Sequence, residues 1–290
     1  MTALVRKCPV CHSSDTKPYG RRKRWFLSQC VDCYIVYRTV FPSEAELNEI
    51  YGSDYYDSWN IEADTDAFWD MKVQNCISYL RSLNQYVAEQ GNRTLLDVGC
   101  AHGFMLDAAG QEGYVPSGLE ISPAGDVARN RGFRVLSSQL EDDPFPSESF
   151  DVVTMVDVVE HLADPQSALR SVWKMLKPGG VIFMVTPDIT SVSARILRDA
   201  WPHYLPEHLI YYSPRPMEKL LDLSNIDVLK IGPGYKYLTV NYILGHLRYS
   251  SGGIVAGALS ALASVAPSWI TQKPLRYLTE MIAIGRKSNN

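Results

Sequence analysis

The stretch TLLDVGCAHGFMLDAAGQEGYVPSGLE, residues 94–120, decides how the rest of the chain is read. An apolar run ends at Asp97 and Val98, a glycine turn follows, then a helix-like segment, then a second run that closes on Glu120. A strand–turn–helix–strand unit of this order builds a nucleotide-binding crevice at the carboxyl edge of a parallel sheet. Gly99 and Gly103 allow backbone conformations and close approaches that a Cβ would block. Glu120 stands where a carboxylate can accept hydrogen bonds from both hydroxyls of a ribose. The dinucleotide pattern G-x-G-x-x-G is broken, with Ala101 in place of its middle glycine and Phe104 in place of its third. That departure argues against a pyrophosphate ligand.

With the segments that follow it, this stretch resembles motif I of the class I S-adenosylmethionine (SAM)-dependent methyltransferases, roughly D-x-G-x-G-x-G. Pro144-Phe145-Pro146 and Ser149-Phe150-Asp151-Val152-Val153 look like the family's fourth strand and its approach. Val159-Glu160-His161-Leu162 looks like the loop after it, and Leu176-Lys177-Pro178-Gly179-Gly180 like the turn into a fifth strand at 181–186. The resemblance implies an α/β, Rossmann-like seven-stranded methyltransferase sheet with SAM as cofactor. It sets Asp97, Gly99, Cys100, Ala101, Gly103 and Phe104 around that cofactor, with Glu120 and Ile121 after the second strand. Gln139 and Leu140, after a short third strand at 134–136, and Asp157 and His161, after the fourth, complete the set. Asp97 would order the turn and the ligand's ammonium group. The acid that often follows the third strand in this family is missing. Ser138 or Gln139 stands there, and the Gln139 amide oxygen could take its place against the adenine.

Cys8-Pro9-Val10-Cys11 and Cys30-Val31-Asp32-Cys33 are two C-x-x-C pairs separated by 18 residues. This spacing is a zinc signature, since each tight turn offers two thiolates to one tetrahedral ion. Rubredoxin-type iron shares the ligand set, and a redox dithiol is a further alternative. So short a segment has too little core to fold alone, so a bound metal would supply the missing stability. The segment looks like the metal-binding part of a bacterial subgroup of these methyltransferases, whose members modify sugar nucleotides and other secondary metabolites. Between the pairs lie Arg21, Arg22, Lys23 and Arg24, then Trp25 and Phe26. The run reads as a solvated hairpin tip, with a phosphate or base contact as the alternative. Ser43 is placed to cap a short helix. Cys76 and Cys100 read as small buried hydrophobes.

The chain divides into a zinc-ribbon and linker segment, 1–60, and a SAM-dependent methyltransferase domain, 61–290. The latter carries a substrate-covering loop at about 187–213 and an apolar insertion at about 236–275, within the usual size range for a single domain. Residues 66–90 read as an amphipathic helix through Trp69, Val73, Cys76, Ile77, Leu80, Leu83 and Val87, stopped by Gly91. A helix at 214–223 and strands at 226–231 and 281–285 follow. A net charge of −4 weighs against broad nucleic-acid binding. No signal peptide is evident in MTALVRKCPVC, so a cytoplasmic, reducing location is expected. Residues 249–272 carry no charge. They read as a buried helical hairpin or homo-oligomer interface, as a membrane-surface contact suited to a lipid-linked acceptor, or as a span.

Methyl transfer from a sulfonium is an in-line displacement that needs alignment and exclusion of water. The donor is already activated, so the ribbon metal is expected to be structural. The acceptor can need a base, and the loop holds Tyr204, Glu207 and His208. Histidine titrates near neutrality and suits proton abstraction. Glu207-His208 resembles a Glu-His pair of sugar C-methyltransferases in this subgroup; His161 is the rival base, and Tyr204 a substrate contact. The expected function is methyl transfer to a small-molecule acceptor, a sugar nucleotide, lipid-linked sugar or related metabolite of polysaccharide or natural-product synthesis. An RNA-modifying enzyme gripping RNA with its ribbon, and a noncatalytic protein of the same fold, are the alternatives.

Overall fold

A computed structural model describes residues 3–4, 7–50, 66–88, 91–239 and 274–288. The chain opens with β1 (Ala3–Leu4), β2 (Thr16–Arg22), β3 (Trp25–Cys30), β4 (Val36–Arg38) and β5 (Val40–Phe41). The large sheet draws on β6 (Arg93–Val98), β7 (Tyr114–Leu119), β8 (Val135–Leu136), β9 (Phe150–Val156) and β10 (Leu176–Pro187). β11 (Ile210–Tyr211), β12 (Ile226–Thr239) and β13 (Pro274–Lys287) complete the strands. The seven-stranded order is β12-β13-β10-β9-β6-β7-β8, with β13 antiparallel to both of its neighbours and the other pairings parallel.

Strands buried on both faces read as continuous apolar runs, and β9 and β10 do so. Alternation along them separates two cores. Leu96, Val153, Ile182 and Met184 face one layer with the helix Pro165–Met175. Leu95, Val152, Val181 and Phe183 face the other with the helix Asp66–Leu83. Pro165–Met175 begins where Asp164 accepts from Ser167 N at 2.9 Å and a proline fills the first turn. Ser43 and Glu46 likewise exchange capping bonds at the start of Glu44–Ile50.

Four boundaries differ from the sequence reading. Leu176–Gly180, read as the turn into a strand at 181–186, belongs to β10, with a register shift between Leu176 and Val181. The helix over 66–90 ends at Leu83, short of Gly91, and a single 3-10 turn, Asn84–Tyr86, follows. The Asn84 side chain accepts from Tyr114 Oη at 2.9 Å, drawing the chain toward the base of β7, and Val87 is buried in extended backbone. The strands expected at 226–231 and 281–285 extend to Thr239 and from Pro274. Gly232, Pro233 and Gly234 suggest a break there, yet a side chain on Gly234 would lie 2.9 Å from Ile282 Cγ1, so this glycine serves close strand approach.

The ribbon is a four-stranded sheet of order β11-β4-β3-β2. Its last strand comes from residues 210–211, inside the segment expected to cover the substrate. Cys8, Val10, Cys30, Cys33, Ile35 and Tyr37 belong to the same buried core as Leu209, Ile210 and Tyr212. The 249–272 segment lies outside the described residues; among those residues no helix is long and apolar enough to cross a membrane.

Candidate active site

In this strand order the chain leaves β6 toward β7 on one side and returns to β9 on the other, so a crevice opens at the carboxyl ends of β6 and β9. The turn after β6 forms its floor. Gly99, Ala101 and Gly103 have φ of +69°, +43° and +93°. A Cβ on Gly99 would lie 2.7 Å from Val158 Cγ2, and one on Gly103 2.9 Å from the Ala128 methyl, so both positions require glycine. Ala101 keeps the left-handed backbone that the family's glycine would adopt, at a cost of roughly 1–2 kcal/mol. Its N–H donates to Glu120 Oε2 at 3.0 Å, and Ser122 N donates to Oε1 at 2.7 Å. Glu120 thus ties the turn to the end of β7. Ile121, beside it, is 65% exposed.

Asp97 is buried at the end of β6 and accepts from Thr154 Oγ1 at 2.6 Å. Burial, aided by the Glu120 charge, pushes its carboxyl up to about 7 against that hydrogen bond. Phe104 begins the helix Phe104–Gln111 and packs on Trp69 and His102, with ring centroids 4.6 and 5.7 Å away. Cys100 turns its sulfur toward Gly118, Leu106, Ala128 and Val135, and Leu140 is likewise in the core. Only their backbones remain for a ligand. Gln139 is exposed, and its N–H donates to Asp142.

The acceptor side is built from the ends of β9 and β10 and the loop after β10. Asp157 ion-pairs with Lys236 Nζ at 2.6 Å, and the same ammonium reaches Glu280 at 2.9 Å. Burial works to raise the Asp157 carboxyl, and Lys236 overcomes it and holds it below the ordinary range. The 3-10 turn Val159–His161 carries Glu160 and His161. His208 comes from the loop, its ring edge-on to that of His161 with centroids 4.9 Å apart. Burial pushes His161 down to about 4, and burial with the neighbouring His161 and His203 holds His208 well below its usual value. Both imidazoles are therefore neutral at physiological pH. Glu160 is buried, accepts from Thr186 Oγ1 at 2.9 Å, and is raised well above the ordinary range by burial and Asp157.

The structure separates the other loop residues from this cluster. Glu207 is buried on the side of the ribbon's Lys23 and Arg38, which feel its charge. Tyr204 is buried against Trp201 and Tyr211, and the Arg22 guanidinium acts on its hydroxyl. The sequence reading gave Glu160 and His203 no individual role and left Lys236 and Glu280 out of the site. A lysine within β12 and a glutamate beside the apolar run of β13 were the available signals.

The cysteine quartet is compact. Cys8 Sγ lies 3.5 Å from Cys33 Sγ and Cys11 Sγ 3.5 Å from Cys30 Sγ, with all four sulfurs within 4.8 Å of one another. Val10 N and Cys11 N both point at Cys8 Sγ from 3.4 Å. Four thiolates around a tetrahedral ion at about 2.3 Å would sit about 3.8 Å apart, so the donor set fits a metal. The basic tip is engaged within the chain. Arg21, Arg22 and Arg24 lie over Phe26, Tyr19 and Trp25, and Arg22 reaches Asp199 at 3.4 Å.

A family profile described as a methyltransferase domain matches residues 74–231. The ubiquinone biosynthesis O-methyltransferase of Vibrio atlanticus is 30% identical over 228 residues, 72% of this chain and 92% of the relative. That of Vibrio parahaemolyticus is 29% identical with the same coverage. A SAM-dependent methyltransferase of Thermotoga maritima superposes with a TM-score of 0.53 at 17% identity, over 84% of this chain and 99% of that one. One from Archaeoglobus fulgidus gives 0.50 at 19%, over 74% and 94%. The chain belongs to the methyltransferase-domain family. It is a class I SAM-dependent methyltransferase, with a cysteine-rich ribbon at its N-terminus.

Proposed function

We propose that the enzyme methylates a small, oxygen-rich acceptor, a sugar nucleotide, lipid-linked sugar or related metabolite, bound between the cofactor crevice and the loop after β10. The observation that carries this reading is the pair of neutral imidazoles, His161 and His208, at the mouth of the crevice. Being unprotonated, they can accept the acceptor's proton, but burial makes them weaker bases than the near-neutral histidine the sequence suggests. A second reading, methylation of a phenolic hydroxyl, is favoured by the ubiquinone-pathway relatives. Transfer of labelled methyl from SAM to a panel of sugar nucleotides and catechols tests both, and no labelled product from either class would dismiss them together. In this reading Glu120 binds the ribose, Ile121 covers one face of the adenine, Asp97 faces the amino-acid end, and zinc in the cysteine quartet holds the ribbon.

His208→Ala is expected to lower turnover by more than tenfold while S-adenosylhomocysteine (SAH) binds as in wild type. Steady-state rates beside calorimetry decide it, and a variant keeping over a tenth of wild-type turnover would remove His208 from the chemistry.

The Asp97 carboxyl, pushed up to about 7, predicts a pH-dependent cofactor affinity. An ammonium group favours the ionised form, so binding should tighten as pH rises from about 6 to about 8. Without cofactor the sign for stability is opposite. The folded state holds a proton that the unfolded chain releases near pH 4, so stability falls as pH rises from about 4 to about 7. Asp97→Asn should flatten the affinity profile. Calorimetric titrations across that range check this, and an equally steep profile in the variant would assign it elsewhere.

A further inference from the structure

Glu160, His161 and His208 come from two segments that meet at the acceptor side of the crevice, and one ligand atom from each lies within 4.8 Å of the others. We propose that these three side chains bind a divalent transition-metal ion, distinct from any metal in the cysteine quartet. Two imidazoles and one carboxylate leave coordination positions open for an incoming oxygen.

Independent observations converge on a missing cation. Glu160 is 2% exposed, and its Oε1 has no hydrogen-bond partner among the described residues, while Oε2 is taken by Thr186. The Lys236 ammonium is shared by Asp157 and Glu280. A buried carboxyl oxygen without a donor is costly unless a proton or a cation completes it, and two imidazoles within reach make a cation site. The histidines are suited to supply the other ligands, since each offers a ring nitrogen within 4.8 Å of the other ligand atoms. The site also has outer support: His203 stacks on His208 with centroids 6.3 Å apart and reaches Thr279 Oγ1 at 3.2 Å.

Ligand atoms around one ion at about 2.1 Å stand roughly 3–3.5 Å apart, so closing the site requires shifts of about 1 Å. The donor set favours zinc, iron(II) or manganese over magnesium or calcium, which take mainly oxygen. An acceptor hydroxyl entering an open position would lose its proton more readily, and the imidazoles would act through the ion. That role rests on the methyltransferase reading; the binding site itself does not.

The test uses the full chain carrying one equivalent of zinc, so that the thiolates are occupied. Manganese(II) is the probe, because soft thiolates favour zinc over it. Titration followed by loss of the free-ion electron paramagnetic resonance signal should give one manganese per chain, displaced by excess zinc. His161→Ala and Glu160→Gln should each weaken it at least tenfold in protein whose thermal melt matches wild type; His161 is only partly buried, so its variant guards against misfolding. The inference is overturned if the zinc-loaded wild type binds neither manganese nor a second zinc, or if both variants bind as wild type does. SAH is titrated in parallel. Protein that binds SAH without manganese defeats the metal site alone; protein that binds manganese without SAH defeats the cofactor reading alone.

Discussion

Replacing Glu120 with alanine is expected to raise the dissociation constant for SAH by a hundredfold or more. The residue has two tasks, one visible in the free protein and one added by the ligand. In the free protein its two oxygens hold Ala101 N and Ser122 N at 3.0 and 2.7 Å. Ala101 has a φ of +43°, so the bond from its own N–H helps maintain a backbone that alanine would otherwise leave. In the proposed reading the ligand adds ribose hydroxyls, which would donate to lone pairs those amides do not use. Hydrogen bonds to a charged group contribute about 1.5–3 kcal/mol each, so losing two is a loss of at least about a hundredfold in affinity. Glu120→Gln keeps one acceptor but turns an amide N–H₂ toward a donor, and should fall between. The sheet should survive both changes, because β6, β9 and β10 pack through Leu95, Leu96, Val152, Val153, Ile182 and Phe183. Calorimetry with a thermal melt of each variant gives the answer. Alanine-variant binding within threefold of wild type would mean that the ribose lies elsewhere.

The cofactor half of the site could be read from the sequence because its determinants are local. The strands at Arg93–Val98 and Tyr114–Leu119 and the helix Phe104–Gln111 follow from apolar periodicity and glycine placement within a single 27-residue stretch. Of the acceptor half only Asp157, His161 and His208 could be read, because their partners come from distant segments. Lys236 and Glu280 meet Asp157 only once β13 lies between β12 and β10. His208 meets Glu160 only through the path of the loop. Glu207 and His208 are adjacent in sequence, yet the first faces the ribbon and the second the crevice, a division no linear motif encodes. The helix over 66–90 shows the same limit. Val87 keeps the helical spacing of buried positions, but the bond between Asn84 and Tyr114, 30 residues apart, goes with an early end to the helix.

Stripping the metal from the ribbon, or making Cys33→Ser, is expected to abolish methyl transfer while SAH affinity changes by no more than a few fold. A structural metal in four thiolates contributes on the order of 10 kcal/mol to folding, more than so small a sheet can replace from its own core. Its loss should therefore unfold β2, β3 and β4. The consequence reaches the site through one short path. Arg38 N donates to Leu209 O at 2.9 Å, and Leu209 N donates to Glu160 O at 2.9 Å. Leu209 thus links the ribbon to the turn that carries Glu160 and His161, and it directly follows His208. Ile210 and Tyr211 pair with Tyr37 and Val36, and the Arg38 guanidinium donates to Pro206 O at 2.6 Å. With β4 gone, the bonds from Arg38, Tyr37 and Val36 are lost, and only the Leu209 N–Glu160 O bond of that list, with the segment's own packing, still holds the His208 segment against the crevice. The cofactor turn, by contrast, is secured by Leu119 O, which accepts from Gly99 N and Cys100 N, and by Glu120, which accepts from Ala101 N, bonds that do not involve β4. The two readouts should therefore separate. SAH calorimetry and turnover on chelator-treated protein, repeated after zinc is restored, measure both, with return of activity expected on reloading. Full turnover in protein verified to lack ribbon metal would show that the loop holds its place unaided, and equal loss of SAH binding would show that the ribbon supports the whole domain and not the acceptor side alone.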